Sequence, residues 1–155
     1  LIEWVDGMPA ADTFTYMPQN VASVQIDGIE TRFDTRLAGV DTHMSYTWID
    51  PRDLDNDKRL IRRARNTFKL QLDRKIGKLA LGANCLVQDD RYNDAANLVI
   101  LDGYALVGVH AQYDFASHWW LRTKVDNLFD KQYETAKTYN SPGRSVFVSV
   151  GTQWQ

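Results

Sequence analysis

Apolar and polar residues alternate along seven stretches of this chain, the period-2 signature of strands with two unlike faces. From Val40 to Ile49, one face takes Val40, Thr42, Met44, Tyr46 and Trp48; the other takes Asp41, His43, Ser45, Thr47 and Ile49. Phe68, Leu70 and Leu72 oppose Lys69, Gln71 and Asp73. Leu79, Leu81, Ala83, Cys85 and Val87 oppose Ala80, Gly82, Asn84, Leu86 and Gln88. Ala105, Val107, Val109, Ala111 and Tyr113 oppose Leu106, Gly108, His110 and Gln112. Trp119, Leu121, Thr123 and Val125 oppose Trp120, Arg122, Lys124 and Asp126. The last stretch sets Val146, Val148, Val150, Thr152 and Trp154 against Ser145, Phe147, Ser149, Gly151 and Gln153. No stretch carries a helical period, so the predicted class is all-β.

The remaining stretch changes phase. Its apolar residues are even-numbered at Val24 and Ile26, then odd-numbered at Ile29 and Phe33, opposite Glu30, Arg32, Asp34 and Arg36. Gly28 stands at the switch, where a bulge would absorb one residue. The alternative is that residues before Gly28 lie beyond the zone in which facing matters.

Alternation does not say which face is wet. The connections do. Those at 37–39, 75–78 and 114–118 are short, whereas those at 6–20, 50–65, 89–100 and 128–143 are long and polar. Long and short strictly alternate, as in an up-and-down transmembrane β-barrel with short periplasmic turns and long extracellular loops. A Greek-key sandwich would mix them. Aromatic residues sit at both strand ends: Tyr46 and Trp48 at one, Tyr113, Phe115, Trp119 and Trp154 at the other. They form candidate interfacial girdles. The apolar faces given above carry no Lys or Arg, each of which would cost about 2–4 kcal/mol at the bilayer midplane. The set Glu30, Arg32, Asp34, Arg36, Arg122, Lys124 and Asp126 would then line a watery interior.

Composition narrows the field further. The chain has 155 residues, which predicts one domain. A net charge of −2 argues against a nucleic-acid partner. One cysteine, Cys85, excludes a disulfide framework within the chain. No run of about 18 apolar residues is present, so the sequence holds no transmembrane helix, which says nothing against spanning strands. The sequence starts in strand-like residues without an initiator Met or an apolar leader, so a fragment of a longer chain is expected.

The C-terminal run Asn127-Leu128-Phe129-Asp130-Lys131-Gln132-Tyr133-Glu134-Thr135 resembles the "NLFDKxYE" segment of TonB-dependent outer-membrane receptors. Pro142-Gly143-Arg144 and a last strand ending at Trp154 follow in that family's order, although Gln155 extends past the aromatic. Ile26-Asp27-Gly28-Ile29-Glu30 is similar to the family's "I-x-G-x-E" strand, and Leu60-Ile61-Arg62-Arg63-Ala64-Arg65 to its "RRA" segment. The nearest pattern lies in the family's cobalamin receptors. The resemblance implies the last strands of a barrel of about 22, with the N-terminal plug outside residues 1–155. It implies a bacterial outer-membrane transporter rather than an enzyme, with no resident cofactor. The ligand would be cobalamin or, alternatively, a ferric siderophore. TonB would act through the missing N-terminal region, the barrel-assembly machinery would read the C-terminal strand, and outer-membrane lipid would surround the wall. Two alternatives remain: a complete eight-stranded barrel with a structural or enzymatic role, and a soluble lipocalin-like binder.

By the same resemblance, Arg62 matches an Arg that faces the ligand in cobalamin receptors. Otherwise it would serve a loop-to-loop or lumen ion pair. Those receptors place a ligand-facing Tyr in the next long loop, and here Tyr92 is the offset substitute. Asp53-Leu54-Asp55-Asn56-Asp57 is similar to the start of a calcium loop, but Lys58 and Ala64 replace the Gly and Glu such a loop needs, so a solvated acidic turn is expected. His43, His110 and His118 lack metal-ligand spacing, and His43 and His110 fall on polar faces. No Gly-rich elbow precedes Ser45, Ser145 or Ser149, so ordinary polar-face serines are expected there rather than a nucleophile.

Overall fold

A computed structural model describes residues 2–6, 16–20 and 23–152, with side chains from Ser23 onward. Twelve strands follow in chain order: β1 (Ile2–Asp6), β2 (Tyr16–Asn20), β3 (Val24–Leu37), β4 (Val40–Asp53), β5 (Lys58–Arg59), β6 (Asn66–Ile76), β7 (Leu79–Gln88), β8 (Arg91–Tyr92), β9 (Ile100–Leu101), β10 (Tyr104–Asp114), β11 (Trp119–Asp126) and β12 (Ser145–Thr152). The main sheet runs β12-β11-β10-β7-β6-β4-β3, every neighbour antiparallel and consecutive in the meander. β5 adds to the end of β4, while β1–β2 and β8–β9 form separate two-stranded pairs. β3 and β12 do not pair with each other, so the sheet is open, and the closed eight-stranded ring is not what these residues form.

Cross-strand register sorts the side chains as the alternation predicts, because directly opposed residues share a face. Asp34 opposes His43, His43 opposes Gln71, Gln71 opposes Asn84, and Asn84 opposes Gly108. Arg32 lies with Ser45, Lys69 and Leu86 on that same face. Further along, His110 opposes Lys124, and Gln112 opposes Arg122. This polar face is paired within itself: His43 Nδ1 lies 2.6 Å from Asp34 Oδ1, and His110 Nε2 lies 3.2 Å from Asp73 Oδ1. The opposite face is apolar and open. Ile29, Phe33, Leu37, Val146, Val148 and Val150 are each more than half exposed. So much bare aliphatic surface on one sheet face is what a hydrocarbon neighbour requires.

The buried side chains sit at the bases of the long connections. Pro51, Leu60, Ala64, Leu101 and Tyr104 are buried there, while Leu60 N–H donates to the Pro51 carbonyl at 3.0 Å. The short connections are 38–39, 77–78 and 115–118; the long ones are 54–65, 89–103 and 127–144. Ala38 and Gly39 both have positive φ, as does Gly77, which suits tight hairpin turns.

Four sequence expectations need correction or relocation. Pairing of β3 with β4 is unbroken from Val24↔Asp53 to Leu37↔Val40, so Gly28 marks no bulge. The phase change arises because Ile26 and Gly28 oppose Pro51 and Ile49 at the loop base, where the polar face of the sheet turns apolar. A side chain at Gly28 would meet Ile49 Cγ2 at 2.9 Å and the Trp48 carbonyl at 2.6 Å. The expected loop at 6–20 contains β2, whose Tyr16–Asn20 pairs with β1. β6 runs on to Ile76 and so adds Arg74 to the apolar face, opposite Leu81. Trp154 and Gln155 lie outside the described residues.

Candidate functional site

The structure brings together the two candidate ligand-facing residues, which stand 30 positions apart in the sequence. Arg62 lies in the 54–65 connection with φ +55°, exposed, and its N–H donates to the Tyr92 carbonyl at 2.7 Å. Its Nε reaches Asn93 Oδ1 at 3.3 Å, which leaves both terminal guanidinium nitrogens free of protein partners among the described residues. Tyr92 is half-buried; the Arg59 guanidinium sits 5.3 Å from its ring centroid, and its hydroxyl likewise has no protein partner among the described residues. The ion pair considered for Arg62 does not form among them; the loop-to-loop bond does.

The "RRA" segment thereby acquires a physical account. Ala64 is buried at the loop base, while Arg65 lies over the Trp48 ring at 5.9 Å and 3.5 Å from Asp50 Oδ1. Arg65's carbonyl also accepts Ile49 N–H at 2.9 Å. Stacking a guanidinium on a boundary Trp anchors the loop where the apolar face ends.

Periodicity gave no sign of the residues that hold the loops together. Asn97 bridges back to the 54–65 connection: its Oδ1 accepts Arg59 N–H at 2.9 Å and its Nδ2 donates to the Arg59 carbonyl at 3.0 Å. Asn93 Oδ1 also accepts Lys137 N–H at 3.0 Å, so one side chain joins three long connections. Arg91 is buried against the Tyr104 ring at 4.9 Å and donates from Nη1 to Gln88 Oε1 at 3.1 Å. Tyr104 in turn packs on Tyr133 with centroids 4.5 Å apart. Asn and Asp in loops were the only available signal, since such residues satisfy backbone groups.

Two recesses accompany the site. One of about 510 Å³ lies at the tops of β7 and β10, lined by Gln88, Asp89, Asp90, Gly103, Tyr104 and Lys131, and excludes Arg62 and Tyr92. The second, about 400 Å³, lies on the polar face between β3 and β7 and includes Arg32, His43, Lys69, Gln71 and Asn84. The acidic turn at 53–57 is closed on itself: Asp53 accepts Asp55 N–H at 2.9 Å and the Asn56 amide at 2.9 Å, and Asp57 takes Arg52 at 2.7 Å. Among the described residues no group of three or more His, Cys, Asp or Glu is arranged to hold a metal.

Asp94 organises the β8–β9 hairpin. Its Oδ1 accepts Val99 N–H at 2.7 Å and Leu98 N–H at 3.1 Å. The Val99 bond, helped by Leu98, holds its carboxyl below the ordinary range against the opposing effect of burial. A depressed folded-state pKa gives stabilisation that is complete above the unfolded value of about 4 and is lost as pH falls through the folded one. Hydrogen-exchange protection of Leu98 and Val99 should therefore hold from neutrality to about pH 4 and decline below it. Asp94→Ala should abolish that protection at every pH; unchanged protection would remove Asp94 from this role.

Comparison with known proteins places this geometry. Residues 1–128 match the family model described as TonB dependent receptor-like, beta-barrel. The chain is 31% identical over 150 residues to the vitamin B12 transporter BtuB of Photobacterium profundum, covering 97% of this chain and 25% of that protein. It thus spans about a quarter of the length of the curated relatives it matches. Among solved structures, the copper transporter OprC superposes with a TM-score of 0.80 at 18% identity, covering 98% of this chain and 27% of that one. BauA, the ferric preacinetobactin receptor from Acinetobacter baumannii, gives 0.75 at 20% identity, covering 97% and 25%. At those identities the structures speak for the fold alone.

Proposed function

This chain belongs to the TonB-dependent receptor β-barrel family, and on that premise we propose that it forms the C-terminal wall of an active transporter for cobalamin. Its compartment is the bacterial outer membrane, and its homologues are transporters and receptors, not enzymes. In the proposal, the ligand docks from outside onto the long connections and the plug. TonB then pulls on the N-terminal region to release it inward. The barrel-assembly machinery reads the last strand during insertion.

The observation that supports a ligand role is the convergence of free donors at one spot. Arg62 offers its two terminal nitrogens and Tyr92 its hydroxyl, while the backbone bond between these residues fixes their relative position. A planar guanidinium held by one edge presents the remaining donors in a fork suited to a phosphate or amide group. Cobalamin carries both groups. The 31% identity to a vitamin B12 transporter favours it over the ferric siderophores of the fold neighbours.

Calorimetry on the full-length gene product with cobalamin and with ferric siderophores tests the assignment. Cobalamin should bind, and Arg62→Ala should weaken it about tenfold, the loss of a charge-assisted hydrogen bond. Tyr92→Phe should weaken it less. Cobalamin affinity unchanged in both variants would reduce Arg62 and Tyr92 to loop ties, and tight siderophore binding without cobalamin binding would reassign the ligand.

A further inference from the structure

The apolar face carries one cation within the sheet below the loop bases, and nothing among the described residues neutralises it. Arg74 lies on β6 opposite Leu81; one pair deeper, Leu72 faces Thr42 and Ala83. It is exposed and stands three positions before Gly77 of the short turn, about 10 Å along the strand. Lys78 occupies that turn, also exposed. Neither side chain has a hydrogen bond or ion pair among the described residues. Every nearby carboxylate faces the polar side and is already engaged. Asp73 holds His110 at 3.2 Å and accepts Gln71 Nε2 at 2.8 Å. Asp41 pairs with Arg36 at 3.3 Å, and Asp114 accepts Gln112 Nε2 at 3.0 Å.

An Arg on a lipid-facing position this close to a turn snorkels toward the headgroups instead of neutralising. There its five donors lack an acceptor from the protein. Short turns lie on the periplasmic side, so the surrounding leaflet supplies glycerophospholipid phosphates. From this we infer that Arg74, with Lys78 below it, forms a headgroup site for an anionic phospholipid of the periplasmic leaflet. The guanidinium grips the phosphodiester as a fork, and the Lys78 ammonium adds charge at the headgroup level. Leu79 and Leu81 on β7 provide apolar surface beside it for the acyl chains.

The inference rests on the outer face of the sheet meeting lipid, so its test separates the two. Full-length protein, folded and shown to be inserted by heat-modifiability, is titrated with phosphatidylglycerol and followed by native mass spectrometry. Phosphatidylcholine serves as the zwitterionic comparison. Phosphatidylglycerol should be retained preferentially, and Arg74→Ala should weaken its apparent affinity about tenfold. Arg74→Lys keeps the charge without the fork and should lose about threefold, as should Lys78→Ala. Lys75→Ala, on the opposite face, should change nothing. An inserted Arg74→Ala that retains phosphatidylglycerol like the parent overturns the site alone. So does a Lys75→Ala loss equal to that of Arg74→Ala, or equal retention of both lipids. A parent protein that does not insert overturns the lipid-facing wall and this site with it.

Discussion

Val109→Arg should cut the stability of the bilayer-inserted protein by about 2–4 kcal/mol, the penalty for a guanidinium at the midplane of a barrel's lipid face. Val109 is central in β10, opposed by Ala83 and Val125, with Val107 and Ala111 on either side along the same face. Unlike Arg74, it is too far from either strand end for the charge to snorkel to water. Gln71→Arg is the paired control. Gln71 opposes His43 and Asn84 on the polar face, where a new guanidinium stays hydrated, and the change should be within about 1 kcal/mol. Denaturant titration of the full-length protein in phosphatidylcholine vesicles, followed by tryptophan fluorescence, measures both. Equal stabilities for the two variants would mean that the apolar face does not meet lipid.

Strand identity and facing were legible in the sequence because a pleated strand has a side-chain period of two, and each face meets one medium. Loop lengths then set the expected orientation. What was not legible depended on where the medium changes. Ile26 and Gly28 follow the strand without a break, yet their partners Pro51 and Ile49 belong to the packed loop base, and the alternation inverted there for want of a visible boundary. Arg74 escaped notice for the mirror reason: β6 outlasts its apolar run, to Ile76, and nothing local says so. The candidate site was legible in part. Arg62 and Tyr92 came from resemblance, and their meeting is a backbone bond between two loops. Asn93 and Asn97 act across separations of 31 to 44 residues, which no periodicity encodes. The "NLFDKxYE" run was legible as a resemblance without a cause, and the structure supplies one.

That cause makes Asn127→Ala the second large effect, at about 2–4 kcal/mol from two contributions. Asn127 is 7% exposed and sits at φ +50°, a left-handed conformation Asn tolerates better than Ala. Its amide acts as a clamp: Oδ1 accepts Lys131 N–H at 2.8 Å, and Nδ2 donates to the Lys131 carbonyl at 2.9 Å and the Pro142 carbonyl at 3.4 Å. Its own carbonyl accepts Asp130 N–H at 2.9 Å, which aims Asp130 Oδ1 at Arg144 N–H, 2.8 Å away. A side chain at Gly143 would meet that same oxygen at 2.8 Å, so the Gly-Arg that follows the loop is shaped to the Asp. Removing the amide deletes the bonds to the Lys131 N–H and carbonyl and to the Pro142 carbonyl, at about 0.5–1.5 kcal/mol each, and adds the backbone strain of Ala. Asn127→Gly relieves the strain but keeps the lost bonds, and should fall between parent and Ala. Asn127→Asp keeps the acceptor for Lys131 N–H and loses the two donations, so it too should be intermediate. Asp130→Ala should add less than its single effect to Asn127→Ala, because both serve one turn. Proteolysis of the 127–144 connection, run beside equilibrium unfolding, distinguishes the outcomes. Faster cleavage with lowered stability is expected for Ala, and cleavage and stability both at parental levels would show that the clamp holds nothing.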